Sequence, residues 1–315
     1  MTNASASADH SAQESGWAAL AAALVLGLLL ALSACSSEKE ANEVKPYPPP
    51  DPLFYELANA DGEVEGWLLG TIHALPEGVS WRTPEIDRAV DEADLLVVEV
   101  ATLGETERLR QIFADLSRSS GLPDLGDRVS SQIRPDLEAM VDRSNISRAH
   151  LRSAEDWAAA IMLSQVDAPG EPEHGVDRAL IEVFDGRRVF GLETAQEQLG
   201  IFDKLAADDQ RELLEGTVAE WKASRDNPER LMRAWLVGNI EALEEATSTG
   251  IMADPELRHA LLVRRNKDWM TQLTPMLSEE ERPLIAVGAA HLVGPDGMVT
   301  MLQAKGYTLR RIPAS

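Results

Sequence analysis

The sequence predicts an α/β fold in which two βαβ-like halves form one central sheet and a long, mainly helical insertion separates them. The first observation behind this is a repeat. Gly70-Thr71-Ile72-His73-Ala74-Leu75-Pro76-Glu77-Gly78 near the start and Gly288-Ala289-Ala290-His291-Leu292-Val293-Gly294-Pro295-Asp296-Gly297 near the end each close an apolar run with Gly-x-x-His and a turn. The second lies just downstream of both copies: the first runs through a short helical stretch into the apolar run Leu95 to Val100 and the second through Met298 to Ala304 into Tyr307 to Ile312, so a strand-turn-helix-strand unit occurs twice. The third is a change of character between the copies, where from about Leu103 the apolar residues mostly recur at helical rather than alternating spacing.

Taken in chain order, residues 1–34 read as a signal peptide. Trp17 to Ala31 is an apolar run too short to span a membrane comfortably, and Leu32-Ser33-Ala34-Cys35 resembles the lipobox of bacterial lipoproteins. That resemblance implies cleavage before Cys35, the only cysteine of the chain, and a diacylglycerol on its sulfur. Residues 1–16 depart from the pattern, since they hold no Lys or Arg. A single cysteine also excludes an intramolecular disulfide or a cysteine-rich metal cluster. Residues 35–52, ending in Lys45-Pro46-Tyr47-Pro48-Pro49-Pro50, read as a disordered, semi-rigid spacer. Together these predict an envelope protein, lipid-anchored to the membrane through Cys35 and facing the periplasm or the exterior.

The body, 53–315, is long enough to bury a sizeable core, and 44% of the whole sequence is hydrophobic. Phe54 to Leu57 and Glu65 to Leu69 flank Asn59-Ala60-Asp61-Gly62, which predicts a hairpin leading into the first Gly-x-x-His. A helix over Pro84 to Asp91 and a strand over Leu95 to Val100 complete the first half. The insertion, about 103–283, is expected to hold a helix over Ser147 to Gln165, a strand over Arg187 to Glu193 and a helix from Ala195 capped by Thr194. Further helices are expected over Asp208 to Ser224, Pro228 to Val237, Ile240 to Ala246 and Pro255 to Leu277. The second half comes next as a strand through Val287, a helix over Met298 to Ala304 and a strand from Tyr307 to Ile312.

The formal charge is −24, and −22 after loss of the leader, which contributes Asp9 and Glu14 and no Lys or Arg. Such a surface repels phosphate backbones, so nucleic acid is not an expected partner. If the two halves pair into one sheet, His73, Glu99, Glu193 and His291 all fall at the carboxyl ends of strands, the edge where open α/β sheets bind ligands. Two imidazoles and a carboxylate suit zinc, manganese, cobalt or iron and leave positions open for water or substrate. Glu99 interrupts an apolar run, so it needs a partner if buried. Glu193 reads equally well as a helix-start carboxylate, and either Arg264 or Arg265 is placed to hold an oxyanion. Gly70 and Gly288, three residues before each histidine, permit a tight turn or a close approach. His150 and His259 fall in charged helical stretches and read as surface residues, while His174 is ambiguous.

These blocks, with Gly175-Val176-Asp177, Gly191-Leu192-Glu193-Thr194 and Arg265-Asn266 in order, resemble the TraB/GumN family, related to the Tiki and PrgY proteins. The resemblance implies an α/β fold with a helical insertion and, for Tiki-like members, metal-dependent peptide cleavage. The expectation is therefore an envelope-tethered, metal-dependent hydrolase, with a divalent ion (Zn, Mn or Co) on His73, Glu99 and His291, Glu193 handling protons and Arg265 stabilising charge. The division of ligand and base between the two glutamates stays open. The alternatives are a non-catalytic peptide- or glycan-binding protein and an accessory factor in envelope polysaccharide assembly.

Overall fold

The computed structural model describes residues 46–277 and 280–315, so the leader and Cys35 lie outside the described residues. The chain opens with β1 (Phe54–Ala58) and β2 (Val64–Thr71), joined by a turn in which the Asn59 carboxamide accepts from the amides of Asp61 and Glu63, both at 3.0 Å. Gly62, at φ 84°, takes the left-handed position that this turn requires. Next come α1 (Pro84–Glu92), capped by Thr83 and led by its proline, and β3 (Leu95–Val100).

The insertion then supplies α2 (Thr106–Leu116), α3 (Arg134–Arg143), α4 (Arg148–Ser153), α5 (Asp156–Leu163) and α6 (Val176–Val183). After β4 (Arg188–Glu193) come α7 (Ala195–Asp203), α8 (Ala207–Ser224), α9 (Arg230–Leu236), α10 (Ile240–Ala246), α11 (Pro255–Arg258) and α12 (Arg264–Met276). The chain closes with β5 (Pro283–Gly288), α13 (Met298–Ala304) and β6 (Thr308–Arg311).

One six-stranded sheet runs β4-β3-β5-β2-β1-β6. The four strands β4, β3, β5 and β2 are mutually parallel, whereas β1 runs antiparallel to both β2 and β6. The two histidine-bearing copies interleave: β5 of the second lies between β2 and β3 of the first, with Thr71 opposite Gly288. All six residues of β3 and of β5 are buried, as expected of central parallel strands covered on both faces. Fully burying each aliphatic side chain there contributes about 1.5–3 kcal/mol, and only Glu99 breaks the run in β3.

Two expected helices differ in detail. The stretch 147–165 is split into α4 and α5, because Arg128 donates to the carbonyls of Leu151 (3.0 Å) and Ala154 (2.7 Å) and fixes the break. The stretch 255–277 contains a π-helical turn, His259–Val263, between α11 and α12. Within the insertion Trp157 is fully buried, edge-on to Phe113 (5.6 Å) and stacked with Phe202 (6.2 Å), so its stripe is core. The end of the proline-rich stretch lies along α9, where Arg233 donates to the Pro46 carbonyl at 3.2 Å and sits 4.6 Å over the Tyr47 ring. No helix among the described residues is long and apolar enough to cross a membrane.

Candidate functional site

The carboxyl ends of β2, β3, β4 and β5 form one rim, and the side chains singled out from the sequence meet there. Glu99 is central. Its Oε1 accepts from the Gly288 amide (2.9 Å) and lies 4.0 Å from His73 Nε2 and 3.9 Å from His291 Nε2. Its Oε2 accepts from Arg265 Nη2 (2.6 Å) and Gln198 Nε2 (3.1 Å), so both oxygens are held in fixed directions.

His73 lies two residues beyond β2, in a loop that the segment ahead of α6 clamps. Val176 donates to the Ile72 carbonyl (2.9 Å), and Leu75 and Glu171 exchange backbone bonds. A Cβ on Gly175 would stand 2.2 Å from the His73 carbonyl oxygen, which is why a glycine is needed there. This clamp delivers Asp177, whose Oδ2 accepts from His73 Nδ1 at 2.7 Å while its Oδ1 accepts from Thr71 at 2.8 Å.

His291 ends the 3-10 turn after β5 and is fully buried. Asn266 spends its amide nitrogen on the carbonyls of His291 (3.2 Å) and Asp296 (2.8 Å), so its oxygen faces His291 Nδ1 at 2.6 Å. That arrangement puts the proton on Nδ1 and leaves Nε2 as an acceptor, 3.2 Å from Arg265 Nη1. Trp269 covers the ring at 4.4 Å between centroids and donates its Nε1 proton to Glu193 at 2.9 Å.

Arg265 leaves α12 just after the π-helical turn, and its Nη1 also donates to the Leu261 carbonyl within that turn (3.2 Å). Its fork bonds both oxygens of Glu193, Oε1 from Nε and Oε2 from Nη2, each at 3.0 Å. Of the two candidate arginines only Arg265 enters the rim. Arg264 is exposed and pairs with Asp268 on its own helix.

The charges follow from this geometry. Burial opposes the charged form of His73, but Asp177, by charge and hydrogen bond, and Glu99 outweigh it and raise the imidazole to about 9. For His291 burial leads in the other direction, and Arg265 and His73 add to it against Glu99, lowering it to about 3. Burial also pushes Glu99 up, yet Arg265, the imidazoles and the Gly288 amide hold it well below the usual carboxylate range, at about 2. Burial disfavours the Arg265 guanidinium, and Glu99 and Glu193 more than offset that.

Gly288 is central to the space. A Cβ there would sit 3.2 Å from Glu99 Oε1 and 3.6 Å from His73 Nε2, filling the gap that the three groups face. Gly70 differs, because its Cβ would meet Ala289 Cβ at 3.0 Å, so its bareness lets β2 pack against the turn that carries His291. Neither glycine has a positive φ, so close approach rather than a tight turn is the reason for both.

Sequence reasoning missed the roles of Asp177, Asn266, Gln198 and Trp269, all buried. Asp177 and Asn266 stood beside motif residues, which was the available signal, whereas Gln198 and Trp269 had none. His174 and His259 are exposed and His150 half-buried, away from the rim. A separate cavity of about 310 Å³, between Arg143, Asp167, Trp221, Ser224, Arg225 and Pro228, shares no residue with the cluster.

A divalent ion can be tested against these atoms. Each histidine has Nδ1 held by an outer acceptor and Nε2 aimed at the same carboxylate oxygen, the arrangement in which imidazoles ligate metals. Glu99, Glu193 and Asp177 against Arg265 leave two negative charges uncompensated when both imidazoles are neutral. The donor set thus fits a divalent cation in kind and in charge. As they stand, no three His, Cys, Asp or Glu side chains among the described residues are spaced as a metal site, and Arg265 is the cation against these atoms.

The family model described as TraB/PrgY/gumN family matches residues 53–311, from one residue before β1 to the last of β6. No curated protein matches, and no solved structure does.

Proposed function

The chain belongs to the TraB/PrgY/gumN family, and we propose that its rim cluster is the centre of a metal-dependent hydrolase that cleaves a peptide bond. The observation that carries this reading is the convergence of His73 Nε2 and His291 Nε2 on one Glu99 oxygen, at 4.0 and 3.9 Å. His73, His291 and Glu99 would hold the ion, which when bound supplies Lewis acidity that polarises a carbonyl and acidifies water. Glu99 is the better ligand of the two glutamates, since its oxygen faces both imidazoles, whereas Glu193 contacts Arg265 and Trp269. Glu193 is the more open of the two and is assigned the proton transfers. To act, it must exchange its Arg265 bonds for substrate. Arg265, released toward the substrate, balances the negative charge that develops on the carbonyl oxygen.

Metal analysis of purified protein, with peptide-cleavage assays on wild type, His73→Ala and His291→Ala, tests the reading. Loss of both metal and cleavage is expected, and variants that keep both would overturn it. A second reading, a pocket that binds a peptide or glycan without turnover, is favoured by one observation: Arg265 already neutralises Glu99. Binding that survives chelation, with no product after long incubation, would select it. We also propose that Cys35 carries a lipid anchor at the cell envelope. Cys35→Ser is expected to move the protein from the membrane fraction to the soluble one.

A further inference from the structure

Glu220, in the last turns of α8, is buried and plays no part in the rim cluster. Its Oε1 accepts from the Ile251 amide at 2.9 Å, while its Oε2 is buried with no hydrogen-bond partner. The contact is tight on both sides. Gly250, at φ 58°, has space only for hydrogen, since a Cβ would stand 2.3 Å from Glu220 Oε1. One helical turn earlier in α8, a Cβ on Gly216 would meet Ile251 Cγ1 at 2.7 Å. The turn Gly250–Ala253 is thus pressed onto α8 by two bare glycine positions and a single carboxyl group.

The charges on neighbouring elements are engaged elsewhere. Asp136 of α3 pairs with Lys222, and Asp156 of α5 with Arg128. Asp254 caps α11 by accepting from Leu257 and shares a hydrogen bond with Glu212 of α8, whose carboxyl is raised by burial and by Asp254, and Arg258 pairs with Asp296. On Glu220 burial is opposed only by the Ile251 amide and pushes the carboxyl well above the usual range. A neutral acid with one unmet hydroxyl is tolerable in such a place, whereas an unpaired carboxylate is far more costly.

We propose that Glu220 is an acid latch: as the neutral carboxylic acid it pins the turn Gly250–Ala253 to α8, and loss of its proton releases that turn. The turn leads through α11 and the π-helical turn to Arg265, so release slackens the segment that anchors the guanidinium. The latch is independent of what the rim cluster does. Glu220 with a raised carboxyl stabilises the closed turn at low pH and loses that contribution as pH rises.

Hydrogen exchange of the full-length chain, corrected for intrinsic rates, is the test, with wild type compared to Glu220→Gln. In wild type, opening of residues 247–258 should rise toward about tenfold per pH unit above the point of ionisation, while β5 stays protected. The Gln variant, permanently neutral, should show no such rise. A wild-type segment without pH dependence, or a Gln variant that follows wild type, overturns the proposal. Should Gln fold poorly, Glu220→Leu must leave the segment open at every pH, and a Leu variant with wild-type protection and slope overturns it equally.

Discussion

His73 and His291 share the Gly-x-x-His spelling, face the same oxygen of Glu99 and are both buried, yet near neutral pH His73 is the charged imidazolium and His291 the neutral imidazole. The difference lies in what holds Nδ1. A carboxylate, Asp177, faces His73 and draws a proton onto it, whereas a carboxamide, Asn266, faces His291 and offers dipole without charge. Arg265 adds to the contrast by standing against His291 Nε2. A repeated motif therefore specifies position only, and the helical insertion, which supplies Asp177, Asn266 and Arg265, specifies which ring carries the proton.

The largest test of that contrast removes Arg265. Arg265→Leu leaves Glu99 and Glu193 buried without their cation and should cost about 3–5 kcal/mol in denaturant unfolding, with the His291 resonance titrating at higher pH than in wild type. An unchanged titration would mean that burial alone keeps His291 neutral. Next, Asp177→Ala strips His73 of its counter-charge and leaves Thr71 without an acceptor. The expected loss is about 1–3 kcal/mol, and His73 should titrate well below its wild-type value, since only Glu99 then opposes burial and Arg265.

Stability against pH gives the same contrast from two sides. His73, raised to about 9, stabilises the fold fully below its unfolded value near 6.5, and that contribution disappears as pH climbs through about 9. His291 and Glu99 are depressed, so their contributions are present above their unfolded values and are lost as pH falls through about 3 and about 2. Asp177→Asn should remove the part of the alkaline loss that His73 carries and spare the acid one. The smallest effect separates the two glycines. Gly70→Ala should cost about 1–3 kcal/mol by overpacking, while Gly288→Ala should lower stability less and, on the proposed function, abolish metal binding, as measured by melting and metal content.

The sheet was legible in the sequence because central parallel strands are apolar runs, and a charge inside one, Glu99, stands out. The rim was legible because strand ends are. The partners were not, because Gln198 and Trp269 lie on amphipathic helices, where one polar or aromatic residue looks like ordinary surface or core. The break between α4 and α5 is held by Arg128, which lies outside both helices, earlier in the chain. Likewise the π-helical turn before Arg265 leaves no trace in the spacing of a stretch that reads as one continuous helix.

The adjacency of β2 and β5 has a consequence for biogenesis. These neighbours are drawn from opposite ends of the body, so the loop between them must close before the centre exists, and such distant pairings form slowly. A chain still emerging, or one clipped before β5, holds His73 and Glu99 with nothing opposite them. The cluster is thereby kept from assembling until β5 has been made and has paired, a delay written into topology.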